Sequence, residues 1–160
     1  MTTPSKVRRA VSSVALAVAA LVAVLLPAAP AHAAWGPDQT VFINVISNDG
    51  YGRQLARLEG TIAFDDGNAM FRYSLQLCWG SGAYPAPSVR FYVNGTTFYG
   101  PVGAGETTAT GCQRVFLYAS QTNVGGLVSN VRIDVTAGWF YPGNQYNTRT
   151  KSATYDNPFN

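Results

Sequence analysis

From Trp35 onward the chain is written in short runs in which apolar and polar residues alternate, and no window holds an apolar stripe at helical spacing. Alternation of period two places successive side chains on opposite faces of an extended backbone, so each run buries one face only as part of a sheet. The pattern is clearest at 40–47 (Val41, Ile43, Val45), 56–64 (Leu58, Ile62, Phe64), 71–79 (Phe71, Tyr73, Leu75, Leu77) and 130–136 (Val131, Ile133, Val135). Shorter runs at 89–93, 96–99 and 113–119 join them, with a polar run at 148–155 expected at a sheet edge. All 16 glycines fall in the same stretch and punctuate it. Seven or eight short strands with turns between them predict an all-β fold, a single antiparallel β-sandwich, Ig-like or jelly-roll-like, whose strand order stays open.

Two hairpin registers follow from turn chemistry. Asn94-Gly95 suits a type I′ turn, which sets Val93 against Thr96 and Phe91 against Phe98 and leaves Arg90, Tyr92, Thr97 and Tyr99 on the other face. A four-residue loop of Asp65, Asp66, Gly67 and Asn68 pairs Ile62 with Phe71, Gly60 with Tyr73 and Leu58 with Leu75. In that register Tyr73 covers the bare backbone of Gly60, an aromatic–glycine pairing that strengthens a weak strand position.

Residues 1–33 have the layout of a secretory signal, with basic Lys6, Arg8 and Arg9, an apolar core, Pro27, Pro30 and then Ala31-His32-Ala33. Cleavage is expected after Ala33, with Ala34 as an alternative. The core is too short to span a bilayer, and the Arg8-Arg9 pair lacks the surroundings of a twin-arginine signal. No cysteine near the cleavage site offers a lipid anchor, and the tail from Asp156 to Asn160 is not hydrophobic. A secreted domain at 34–160, free of the membrane, is the expectation.

The leader also owns the chain's excess charge. Of 11 Lys and Arg, three lie in it beside no acid, so the 127 residues from Ala34 on carry eight basic and eight acidic side chains. A neutral domain with one lysine, Lys151, lacks the cationic face that nucleic acid requires. Cys78 and Cys112, an even pair in an exported chain, are expected to form a disulfide. It closes 35 residues, a loop whose chain entropy corresponds to about 4 kcal/mol. Because Cys78 alternates with Arg72, Ser74 and Gln76, the bond is expected as a staple on the outer face, not as a pin between sheets.

The only histidine, His32, leaves with the leader, and with it the usual general base. The remaining acids are Asp38, Asp49, Glu59, Asp65, Asp66, Glu106, Asp134 and Asp156. Asp65 and Asp66 are explained by the turn, and Glu59 by a cross-strand partnership near Ser74 and Arg72. Lys151 and Ser152 point to opposite faces of a strand, and Gly103-Ala104-Gly105 lacks the third glycine and helix of a dinucleotide loop. Asp65, Asp66 and Asn68 offer calcium-friendly oxygens without the spacing of an EF-hand. Asn94-Gly95-Thr96 matches a glycosylation sequon, but the turn needs the same residues. The sequence therefore predicts no catalytic residues, no cofactor and no metal.

What remains is a surplus of rings, 20 Phe, Trp and Tyr, with two clusters in loops. One runs from Trp79 to Tyr84, the other through Trp139, Phe140 and Tyr141 to Tyr146 around Pro142-Gly143. Rings beside Asn and Gln amides form the apolar platform that a sugar-binding surface uses, and Trp79, Tyr84, Trp139, Tyr141 and Tyr146 are its candidate residues. The alternative is that the rings plug the end of a sandwich. The expected function is a non-catalytic binding domain for extracellular polysaccharide or cell envelope. A protein-directed effector, such as a protease inhibitor or antibacterial toxin using the proline-stiffened loop 80–88, is the rival, and a structural coat protein the third reading.

Overall fold

A computed structural model describes residues 34–80, 83–103, 111–115 and 121–160. The expected leader at 1–33, Ala104, Gly105, Glu106 and residues 116–119 of the expected strand lie outside the described residues. The described period-two runs become strands, though of the run at 113–119 only Gln113 and Arg114 do so, at the end of a strand that begins at Gly111. The strands are β1 (Gln39–Ile46), β2 (Gln54–Phe64), β3 (Met70–Trp79), β4 (Ser88–Val93), β5 (Thr96–Gly103), β6 (Gly111–Arg114), β7 (Gln121–Asn123), β8 (Asn130–Phe140) and β9 (Tyr146–Asp156). The sequence expectation of seven or eight is exceeded by the three-residue β7, too short to show a period.

All pairings are antiparallel and form two sheets. One has the order β1-β2-β3-β6, with β7 also on β3, and the other β5-β4-β8-β9. Their apolar faces meet. Phe71 and Tyr73 of β3 reach across to Phe91 of β4 at ring-centroid distances of 6.5 and 5.2 Å, and Ile62, Phe64, Leu58, Val89, Ile133 and Val135 fill the space around them. The disulfide joins Cys78 to Cys112, directly opposite each other on β3 and β6 and on the side shared with exposed Ser74 and Gln76. It is the outer-face staple that alternation predicts.

The β2–β3 hairpin keeps the predicted facing but not the predicted register. Phe64 pairs with Phe71, Ile62 with Tyr73, Gly60 with Leu75 and Leu58 with Leu77, a slip of two residues on β3. The cause is Asp65. Its buried carboxylate leaves the loop and extends the strand, where Oδ1 accepts hydrogen bonds from the amides of Ala69 and Met70 at 3.0 and 2.6 Å. The four-residue loop therefore starts one residue later, at Asp66, whose own carboxylate accepts from the Ala34 amide. Tyr73 consequently does not cover Gly60. That glycine is required for another reason, since its φ is +143° and a Cβ there would meet the Ser74 carbonyl oxygen at 1.9 Å. Glu59 likewise pairs with Arg57, while Arg72 bonds Asp38 at 3.2 Å and lies over the Trp35 ring.

The β4–β5 turn has positive φ at both Asn94 and Gly95, and Val93 faces Thr96 as predicted. A bulge next to Tyr92 then sets Phe91 against Tyr99 instead of Phe98. The Asn94 side chain is also structural, accepting from the Ser129 and Asn130 amides and donating to the Leu127 carbonyl. Buried Asn157 does the same nearby, donating to Val128 and Asn68 and accepting from Phe159. These amides tie down one end of the sandwich. At the other end, the β1–β2 loop is organised by Asp49, which accepts from Ser47 Oγ, the Tyr51 amide and Arg53.

Two consequences can be measured. Gly60→Ala meets backbone and a left-handed φ together, so urea denaturation should show a loss of at least about 2 kcal/mol. At Asp49 the Ser47 hydroxyl, with the Arg53 and Tyr51 donors, lowers the pKa from 3.8 to about 2 against the opposing effect of burial. A lowered folded-state pKa contributes stability above the unfolded value and loses it as pH falls through the folded one. The stability difference between the parent and Asp49→Asn should therefore be constant above about pH 5 and shrink between about pH 4 and pH 2.

Candidate functional site

β8 decides which rings face solvent. Its alternation continues past Val131, Ile133 and Val135 to Ala137 and Trp139, all buried, so Gly138 and Phe140 fall on the outer face. Trp139 is 1 % exposed and belongs to the core. This corrects its assignment as a surface ligand residue, for the strand runs to Phe140 and not to 136. Tyr141 packs against Trp139 at 5.9 Å and against the core, and half-buried Trp79 packs against the core from β3. These three rings close the end of the sandwich, as the plug reading expects.

The other two candidates, Tyr84 and Tyr146, come together on the outer face of the four-stranded sheet. Phe140 stands between them, 5.6 Å from Tyr84 and 5.3 Å from Tyr146, with the rings tilted by 40° and 48°. Their exposures are 51 % for Tyr84, 42 % for Phe140 and 48 % for Tyr146. Phe140 and Tyr146 are direct cross-strand partners on β8 and β9. Tyr84 approaches from the loop before β4, its amide donating to the Gly138 carbonyl at 2.9 Å.

Gly138 shapes the row. A Cβ at this position would lie 2.3 Å from the Tyr146 hydroxyl and 2.7 Å from two ring carbons, so the Tyr146 ring rests on bare backbone. This is the aromatic–glycine pairing expected at Gly60, found instead at the end of the other sheet. The Asn144 and Gln145 side chains stand exposed beside the row, in a turn closed by the Tyr141 amide on the Gln145 carbonyl and positive φ at Gly143 and Asn144. Phe140 carries a signal in the sequence as well, since the period of Val131, Ile133 and Val135 continued through Trp139 puts it outside.

Away from the rings the same face is polar. Thr136 and Thr150 share a hydrogen bond of 2.7 Å across β8 and β9, and Arg132 bonds Asp134 at 3.1 Å. Arg132 also lies over the Tyr92 ring, while Arg90 donates to the Tyr92 hydroxyl and lowers that phenol's pKa. The arrangement presents apolar ring surface bordered by amides and hydroxyls, groups whose chemistry is stacking and hydrogen bonding.

Neighbouring rings of opposite facing should respond oppositely to truncation. Trp139→Ala should cost about 3–5 kcal/mol in urea denaturation as a buried ring is lost. Phe140→Ala should stay within about 1 kcal/mol of the parent. Comparison of the chain with protein-family models, with curated proteins and with solved structures finds no match.

Proposed function

We propose that the chain is an exported, non-catalytic binding domain that takes carbohydrate of the cell envelope or of extracellular polysaccharide on the row Tyr84–Phe140–Tyr146. The observation that carries this reading is the contiguity of three half-exposed rings, one of them resting its hydroxyl end against Gly138. Rings of this kind cover the apolar faces of pyranoses, and the amides of Asn144 and Gln145 are placed to meet hydroxyl groups. Export is supported by the layout of residues 1–33 and by the Cys78–Cys112 disulfide, a bond of oxidising compartments.

The test is retention of the purified protein on chitin, cellulose, peptidoglycan and soluble glucans. At least one should retain the parent, and Phe140→Ala or Tyr146→Ala should weaken that retention about tenfold, the effect of roughly 1.4 kcal/mol. Gly138→Ala is the sharper probe. The nearest atoms to the added methyl all belong to the outer end of an exposed tyrosine and not to backbone, so it should displace the Tyr146 ring and weaken retention while the urea midpoint hardly moves. Absence of retention on all four materials, or equal retention by parent and ring variants, overturns the proposal.

A further inference from the structure

We propose, resting on the carbohydrate reading above, that the ring row is one end of a longer site for a linear, uncharged polysaccharide running lengthwise down β9 over the hydroxyls of Thr148, Thr150, Ser152 and Thr154. These four residues alternate along the strand with Arg149, Lys151 and Ala153, and all four are exposed. Successive outward positions on a strand are about 6.7 Å apart, so the rank repeats at that interval and carries the site about 27 Å from Tyr146 to Thr154. Thr136, opposite Thr150 and bonded to it, adds a hydroxyl from β8 in the middle of the rank.

Threonine favours strands, which by itself accounts for its presence on an exposed face. The inference comes from where the rank begins. The hydroxyl of Tyr146 is the atom nearest the Cβ position of Gly138, so the ring is folded back along the face, and the cross-strand partner of Gly138 is Thr148. The stacking surface thus leads directly into the first hydroxyl. A ligand confined to the rings would use one end of this face; an extended chain of sugars presents both apolar ring faces and a succession of hydroxyls, and matches all of it.

Charge decides between neutral and acidic chains. The charged side chains at outward positions described on β4, β8 and β9 are Arg90, Arg132, Asp134 and Asp156, two of each sign with Arg132 bonded to Asp134, while exposed Lys151 sits at an inward position on the sheet edge. Such a face offers no net attraction to a polyanion.

The experiment is calorimetric titration of the purified protein with chito- and cello-oligosaccharides from the disaccharide to the octasaccharide. The parent should gain at least about tenfold in affinity between the shortest and the longest. In the double variant Ser152→Ala/Thr154→Val that gain should disappear while disaccharide affinity is unchanged. Both substitutions are on an exposed face, and valine is a strong strand former, so the fold is retained. Affinity should change less than twofold when salt is raised from low to physiological concentration. A flat dependence on chain length, or a double variant that keeps the gain, overturns the lengthwise path and leaves the ring site standing. Strong weakening by salt overturns the uncharged assignment. If no oligosaccharide binds, this inference falls, and the carbohydrate reading stands or falls on retention by the four materials named above.

Discussion

One buried carboxylate sets the register on which the larger sheet depends. Asp65 draws the amides of Ala69 and Met70 onto a single oxygen, at the point where β2 would otherwise turn. A carboxylate out of water needs such donors, and this geometry of the loop supplies both. With the turn held there, Phe64 must face Phe71, and each later pair follows two residues at a time up to Ala56 opposite Trp79. β1 is registered on β2 in turn, and Cys78 arrives opposite Cys112. Gly67 belongs to the same device, because a side chain there would enter the space of the Asp65 carboxylate at 2.8 Å.

That dependence explains what the sequence made legible and what it did not. Alternation identifies seven of the nine described strands, touches β6 only at Gln113 and Arg114, and gives the inward residues of β1, β2, β3 and β8, because facing depends only on parity. Register depends on where a turn begins, and two registers two residues apart bury the same side chains. Separating them requires knowing that Asp65 uses its side chain on the loop and not as a loop residue. The bulge beside Tyr92 escaped for a similar reason, since Asn94-Gly95 specifies the first pair of the hairpin and nothing in 91–99 marks the extra residue.

The candidate site was legible in part. Ring content pointed to one end of the sandwich, and Tyr84 and Tyr146 do converge there. Trp139 and Tyr141 were read as neighbours of equal standing with Tyr146 because they share a loop-like segment with Pro142 and Gly143. In the structure β8 extends to within two residues of that proline, and its pleat divides adjacent rings between core and solvent. Gly138 has no side chain and so carries no ring signal, yet it determines how Tyr146 lies.

The same pleat gives the row its rigidity. Phe140 and Tyr146 occupy paired strand positions, and Tyr84 is tied to β8 through its amide. Beneath them Trp139 and Tyr141 fill the end of the core, so backbone movement at Phe140 would disturb a packed interior. Side chains mounted on strands over a filled core lose little conformational freedom when a ligand arrives, which lowers the ordering cost of binding. The plug of inward rings and the proposed platform of outward ones are therefore one construction. Rings turned inward hold the strand ends in place, and those strand ends hold the rings turned outward.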